Sequence, residues 1–234
     1  MDRIIISPSK YVQGNGALAN IGNYVKALGT KPLILADAFV TKLVGDTVAT
    51  SFHGVGIKPE FDCFNGECSR PEIDRLLARC NQTPFDVIIG IGGGKTLDTA
   101  KIAARNAGAR MITVPTIAST DSPTSSLGVV YTADGVYVRV ERCYRNPDVV
   151  LVDSEVILRA PVRFLAAGMG DALSTWYEAR SNFDSRSNNY IADGYAATVA
   201  GAAIARACHD TLMRDGRAAY AAAQAGCLTE AVEK

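Results

Sequence analysis

The sequence predicts an α/β fold: an N-terminal parallel-sheet domain carrying a β-hairpin, followed by the start of an all-helical domain. Three observations predict it. First, short β-branched runs alternate with helical patterns up to about residue 115, and strand, helix, strand repeated means a parallel sheet covered on both faces. Second, two alternating runs in "SSLGVVYTADGVYVRVERCY" flank Asp134-Gly135, a dipeptide typical of tight hairpin turns. Third, after Ala160-Pro161 β-branched residues nearly vanish and alanine dominates, which favours helix throughout. The boundary is expected near residues 160–162, giving domains 1–161 and 162–234.

In chain order, the expected elements begin with a strand in "RIIIS" (Arg3–Ser7), a helix near Leu18–Leu28, and a strand in "PLILA" (Pro32–Ala36). A helix after Ala38, a strand in "KPEFDCF" (Lys58–Phe64) and a helix from Pro71 follow. Next come "FDVIIGI" (Phe85–Ile91), a helix from Lys95, "ARMITVP" (Ala109–Pro115), the hairpin, and "DVVLVD" (Asp148–Asp153). Pro161 suits the first turn of a helix, where its missing N–H costs nothing. Gly194 and Gly201 are expected on one face of a later helix, allowing close helix approach. The final "LTEAVEK" has no capping Gly or Pro, so the second domain reads as begun and not completed.

Lys+Arg and Asp+Glu number 24 each, so no global basic field argues for nucleic acid or an anionic membrane. A small neutral or mixed partner is expected. The six cysteines contain no C-x-x-C pair and read mainly as buried small hydrophobes. The N-terminus lacks a signal-peptide pattern, and together these features predict a reduced, cytoplasmic protein. The longest uncharged stretch of the Ala-rich region, Gly194 to Ala205, falls short of the roughly 20 residues a membrane span requires.

"IGIGGGKTLDTAK" (residues 89–101) is the most informative segment. It fails the ATP-type loop, because Ile89 stands where the first glycine belongs, and it fails the dinucleotide fingerprint, because Lys95 stands where the third does. The shared mechanism remains: a strand delivers Gly92, Gly93 and Gly94, whose N–H groups, with the following helix N-terminus, can hold a pyrophosphate. The bland alternative is a tight turn only. Asp37 ends the run "LILAD", where a carboxylate can accept hydrogen bonds from an adenosine ribose and repel a 2′-phosphate, favouring NAD over NADP; a helix N-cap is the alternative. "VPTIASTDSPTSS" (Val114–Ser126) follows an apolar strand; there Thr116 and Ser119 could reach cofactor hydroxyls or phosphate, and Asp121 a substrate hydroxyl. Asp171, two residues into an apolar helix after Gly168 and Gly170, is either a paired or metal-ligating carboxylate or an N-terminal acid favoured by the helix dipole. Glu178 shares its face. His209, one of two histidines, reads as structural rather than as a ligand.

"FNGECS", "GGGKTLDTAK", "PTIASTD" and "AAGMGDALSTWYEAR" together resemble the NAD-dependent glycerol dehydrogenases of the iron-containing (group III) alcohol dehydrogenase superfamily, itself similar to dehydroquinate synthase. The superfamily has its own Gly-Gly-Gly-x-x-x-Asp phosphate-binding turn. The resemblance implies a dehydroquinate synthase-like fold and oxidation of glycerol to dihydroxyacetone. Asp37 would hold the adenosine ribose; Gly92, Gly93, Gly94, Lys95, Thr96, Leu97 and Asp98 would line the pyrophosphate; Thr116, Ser119, Ser125, Leu127 and Tyr131 would position the rest of the NAD. Asp121 would bind glycerol, and Asp171 would be the first protein ligand of a catalytic zinc or other divalent ion acting as Lewis acid. The resemblance also implies a homo-oligomer.

One departure bears on activity. The family's zinc has two further histidine ligands on later helices, and no matching histidine is present in this sequence. The alternatives are therefore an NAD-binding module without turnover, or a dehydrogenase of another vicinal diol such as 1,2-propanediol. A phosphotransferase built on Gly94-Lys95-Thr96 is disfavoured by the one-residue deficit. Action on glycerol 1-phosphate would want a basic cluster, which "STDSPTSS" does not offer.

Overall fold

The computed structural model describes residues 2–188 and 194–234. The chain forms two compact units: Pro8–Ile117 with Ser122–Ile157, and Met1–Ser7, Ala118–Asp121 and Leu158–Lys234.

The first unit is built on a six-stranded, wholly parallel sheet. Its strands are β1 (Lys10–Gly14), β2 (Pro32–Ala36), β3 (Glu60–Cys63), β4 (Val87–Gly92), β5 (Arg110–Pro115) and β8 (Val149–Asp153), in the order β1-β8-β5-β4-β2-β3. The interior strands β2 and β4 are buried at every residue, as continuous apolar runs should be when helices cover both faces. Alternation of side chains splits the core into two layers. Ile34 and Ile89 face Val40, Val44, Val48 and Phe52, which repeat every fourth residue on helix α2 (Ala38–Val55) beside α1 (Ile21–Lys26). Leu33, Leu35 and Ile88 pack with Leu76 and Cys80 of α3 (Arg70–Gln82) and with Ala100, Ala103 and Ala104 of α4 (Gly94–Ala107). The hairpin pairs β6 (Leu127–Tyr131) with β7 (Tyr137–Arg142) antiparallel, turning at a Gly135 with φ of +87°.

The fold class is thus as expected, with a difference at the start. Arg3–Ser7 forms no strand of the sheet, and Ile5 and Ile6 are 49% and 43% exposed. Pro8 interrupts the apolar run, and the following "KYVQG" pairs in parallel with β8 from Lys10↔Val149 to Gly14↔Asp153. Asp153 secures that register, because its buried carboxylate accepts from the N–H groups of Gly16 (3.2 Å) and Leu18 (2.9 Å) directly after β1. The same oxygen that serves Gly16 accepts from Glu155 at 3.1 Å, opening the short helix α5 (Ser154–Leu158).

The second unit is helical: α6 (Val162–Ser185), α7 (Val199–Gln224) and α8 (Glu230–Glu233). Thr198 caps α7 by accepting from Gly201 N–H at 3.0 Å. Two sequence expectations need correction here. Gly194, with φ of +89°, precedes α7 rather than sharing a face with Gly201, and Gly201 serves the cap. Asp171 lies in the interior of α6, which starts at Val162, so its carboxylate is not at a helix N-terminus. Among the described residues, no helix is long and apolar enough to cross a membrane.

The cysteines divide evenly. Cys68, Cys80 and Cys143 are buried, whereas Cys63, Cys208 and Cys227 are exposed, so only half match the expectation of buried hydrophobes. Burial pushes the Cys68 thiol up to about 12, against a lowering hydrogen bond from Thr99, and burial also raises Cys80 and Cys143. A disulfide-exchange reagent near pH 8 is therefore expected to label Cys63, Cys208 and Cys227 rapidly in the native protein, because the thiolate is the reacting form. The remaining three should react only after unfolding; rapid labelling of all six would show the buried sites to be open.

Candidate functional site

The sheet unit assembles its candidate residues at the carboxyl ends of β2, β4 and β5, where parallel α/β sheets present groups to ligands. Gly92 ends β4 with φ of +155°, and a Cβ there would lie 2.8 Å from Thr96 Oγ1. At Gly93 the Cβ would lie 3.0 Å from Ile117 Cδ1. Gly92 is required by its positive φ and by the nearness of Thr96, while at Gly93 a methyl would have to displace the end of the Ile117 side chain. Gly93 is the N-cap of α4 and brings no capping side chain. The first intrahelical bond runs from Leu97 N–H to Gly93 O at 3.1 Å, so the N–H groups of Gly94, Lys95 and Thr96 have no acceptor within the helix. An uncapped 14-residue helix behind a glycine turn fits a diphosphate.

The neighbouring side chains are less uniform in what they do. Thr96 and Leu97 are buried, 3% and 1% exposed, and Leu97 packs beside Gly90. Lys95 is exposed, forms an ion pair with Glu67 and holds its ammonium 5.4 Å from the Tyr131 ring centre. Asp98 is buried: its Oδ1 accepts from Ser122 Oγ at 2.6 Å and pairs with Lys101 Nζ at 2.9 Å, and its Oδ2 accepts from Val129 N–H at 2.9 Å. Thr116, also buried, donates its N–H to Gly92 O at 3.0 Å, tying β5's end to the glycine turn. Ser125 Oγ accepts from Lys101 Nζ at 3.0 Å. Leu127 and Tyr131 lie at the two ends of β6, the Tyr131 ring edge-on to Tyr137 at 6.5 Å. Asp37 caps α2, its Oδ1 accepting from Val40 N–H at 2.7 Å; Oδ2 carries no hydrogen bond among the described residues and is half-exposed at the end of β2.

The helical unit holds Ser119, Asp121 and Asp171. Asp121 donates its N–H to Asp171 Oδ2 at 3.0 Å, and both residues are exposed. Glu178 accepts from Ser174 Oγ at 2.8 Å, and that hydroxyl also donates to Asp171 O. The segment can lie close to α6 because Gly168 has no side chain: a Cβ there would meet Ala118 O at 2.2 Å. His209 is a packing residue. Its ring stands 6.4 Å from Trp176 and 5.9 Å from Tyr177, and its Nδ1 lies 3.0 Å from Asp210 Oδ1. Among the described residues no three His, Cys, Asp or Glu side chains gather where they could hold a metal ion. A catalytic zinc takes three protein ligands, and Asp171 offers one. The described residues therefore do not make up a zinc site.

No sequence motif marks Lys101 as a buried residue. Its side chain is 1% exposed and donates to Ser122 O at 2.7 Å as well as to Asp98 and Ser125. The available signal was its position three residues after Asp98, one helical turn along the same face.

The profile of the iron-containing alcohol dehydrogenases matches residues 8–154, which span the whole sheet and the glycine turn. The chain belongs to this family. It is 46% identical, over all 234 residues, to the glycerol dehydrogenase of Citrobacter freundii, and it spans 64% of that protein's length. A glycolaldehyde reductase of Halobacterium salinarum is 39% identical over 233 residues, with 63% of its length covered. The crystal structure of glycerol dehydrogenase from Schizosaccharomyces pombe superposes with a TM-score of 0.93 at 43% identity, covering 99% of this chain and 58% of that one. As a member of the family, the chain carries a fold observed in experimental structures, and it spans somewhat less than two thirds of the length of these relatives.

Proposed function

We propose that this chain is the cofactor-binding part of an NAD-dependent dehydrogenase that oxidises glycerol to dihydroxyacetone. The observation that carries the reading is the side-chain-free turn Gly92–Gly94 opening onto an uncapped helix N-terminus, in a chain 46% identical to a glycerol dehydrogenase. The chemistry that NAD would supply when bound is acceptance of the carbinol hydride, with the hydroxyl proton passing to water. The backbone N–H groups of Gly94, Lys95 and Thr96 hold the diphosphate. Asp37 Oδ2 accepts from the adenosine ribose hydroxyls and disfavours a 2′-phosphate. Thr116, Ser125, Leu127 and Tyr131 position the remainder of the cofactor, and Lys95 reaches the diphosphate only by leaving Glu67. Asp121 and Asp171 offer carboxylates to the hydroxyls of a small diol. Glycerol is preferred over glycolaldehyde chemistry because the higher-identity relatives are glycerol dehydrogenases.

The second reading, NAD binding without turnover, is favoured by the lack of a three-ligand metal cluster among the described residues. Calorimetry tests the common ground first: the 234-residue chain is expected to bind NAD, and Gly92→Ala to weaken it at least about tenfold, since a methyl forces the turn off its path. Unchanged affinity would remove the glycine turn from the site. NADH formation with glycerol and saturating zinc then separates the two readings. Turnover abolished by Asp171→Asn supports the dehydrogenase, and NAD binding without turnover supports the binding module.

A further inference from the structure

The buried pair Asp98–Lys101 does more than stabilise α4. One turn of that helix grips both ends of residues 122–129. Asp98 takes Ser122 Oγ and Val129 N–H, while Lys101 Nζ donates to Ser122 O at 2.7 Å, Ser125 Oγ at 3.0 Å and Ser125 O at 3.4 Å. Between these anchors Gly128 lies against the helix, where a Cβ would be 2.7 Å from Ile102 Cδ1. Ser122 Oγ also reaches Gly94 O at 3.4 Å, linking the clamp to the glycine turn. Asp98 and Lys101 are 6% and 2% exposed. Burying two charges is costly unless hydrogen bonds satisfy both, and removing one partner leaves the other uncompensated.

The chemistry argues against Asp98 touching a diphosphate directly. A bare carboxylate one turn into α4 would repel an anion at the helix N-terminus, whereas a carboxylate neutralised by an ammonium adds no net charge. We infer that Lys101 is a positioning residue for NAD: it neutralises Asp98 and locks residues 122–129 on α4, so that Ser125 and Leu127 meet the nicotinamide half, without touching the cofactor itself. This rests on the reading of the glycine turn as an NAD site. The clamping of residues 122–129 differs from a purely structural role in being confined to one half of the cofactor, because the adenosine ribose is assigned to Asp37 on another strand end.

Isothermal titration with NAD and with ADP tests it on the full chain. ADP presents the adenosine ribose and the diphosphate but no nicotinamide. Lys101→Met leaves the Asp98 carboxylate bare behind the diphosphate, so it is expected to lower the affinity for both NAD and ADP, and for NAD the more. Because a lone buried Asp98 can unfold the protein, the double variant Asp98→Asn with Lys101→Met is measured alongside. It removes both charges and, where its thermal unfolding matches that of the unmodified chain, should lower NAD affinity at least about tenfold while ADP affinity changes less than about threefold. Equal losses for NAD and ADP in the folded double variant, or no loss for either, would overturn the inference. An unmodified chain that binds ADP and NAD equally well would overturn it too, while failure of the unmodified chain to bind either would refute the underlying NAD reading.

Discussion

Gly168→Ala is expected to lower the unfolding temperature, and Gly170→Ala, on the same helix, to raise it. Both glycines lie within the continuous helix α6, where alanine is the better helix former by about 1 kcal/mol. At Gly170 nothing lies within 4 Å of the new methyl, so that preference stands alone and predicts a gain of up to about 1 kcal/mol. At Gly168 the methyl would lie 2.2 Å from the carbonyl oxygen and 2.9 Å from the carbonyl carbon of Ala118. Backbone cannot rotate aside as a flexible side chain can, and overpacking of this kind costs about 1–3 kcal/mol or more. Displacing Ala118–Asp121 also breaks the bond between Asp121 N–H and Asp171 Oδ2. Thermal unfolding of the two variants, with amide exchange at Asp121, checks the pair. The same sign for both would mean that the segment does not rest on α6.

The second large effect is expected at Asp153. Its carboxylate accepts from Gly16, Leu18, Glu155 and Val156 N–H groups, at 2.9 to 3.4 Å. Alanine would leave these donors without an acceptor, that of Leu18 deep in the core. Orphaned donors of this sort cost about 1–3 kcal/mol each when buried and are not additive, so a loss of about 3–5 kcal/mol is expected, measured by urea unfolding. Asp153→Asn should restore only part of it. One oxygen remains to accept, but the amide NH2 would confront a backbone donor. A neutral outcome for alanine would show that water replaces the carboxylate.

The strands of the sheet were legible in the sequence where burial on both faces demands continuous apolar runs: "PLILA" coincides with β2, and "FDVIIGI" contains most of β4. "RIIIS" has the same local character and failed, because pairing depends on what a neighbour offers; β8 pairs with "KYVQG", whose register Asp153 fixes from far along the chain. The glycine turn was legible because three side-chain-free residues in a row have few uses. Gly168 and Gly170 read as punctuation before a helix, yet both lie inside α6: the backbone of Ala118 requires the glycine at 168, whereas nothing in the structure requires the one at 170. Lys101 was invisible for a different reason: helical lysines usually reach solvent, and only its spacing from Asp98 hinted at burial.

The order of strands has a consequence for synthesis. β1 is the first strand made, yet its sheet partner is β8, the last. During translation β1 must wait, unpaired, until Asp153 has left the ribosome, while β2, β3, β4 and β5 can already associate in the order in which they appear. The flank of β5 that will receive β8 is meanwhile an open parallel edge rich in apolar side chains. Closure between chain-distant strands is slow, and an open edge of this kind favours wrong partners in a crowded cell. A chain stopped before residue 149 would therefore retain both an orphan first strand and an uncovered edge, and its fate would be set by chaperones rather than by its own sheet.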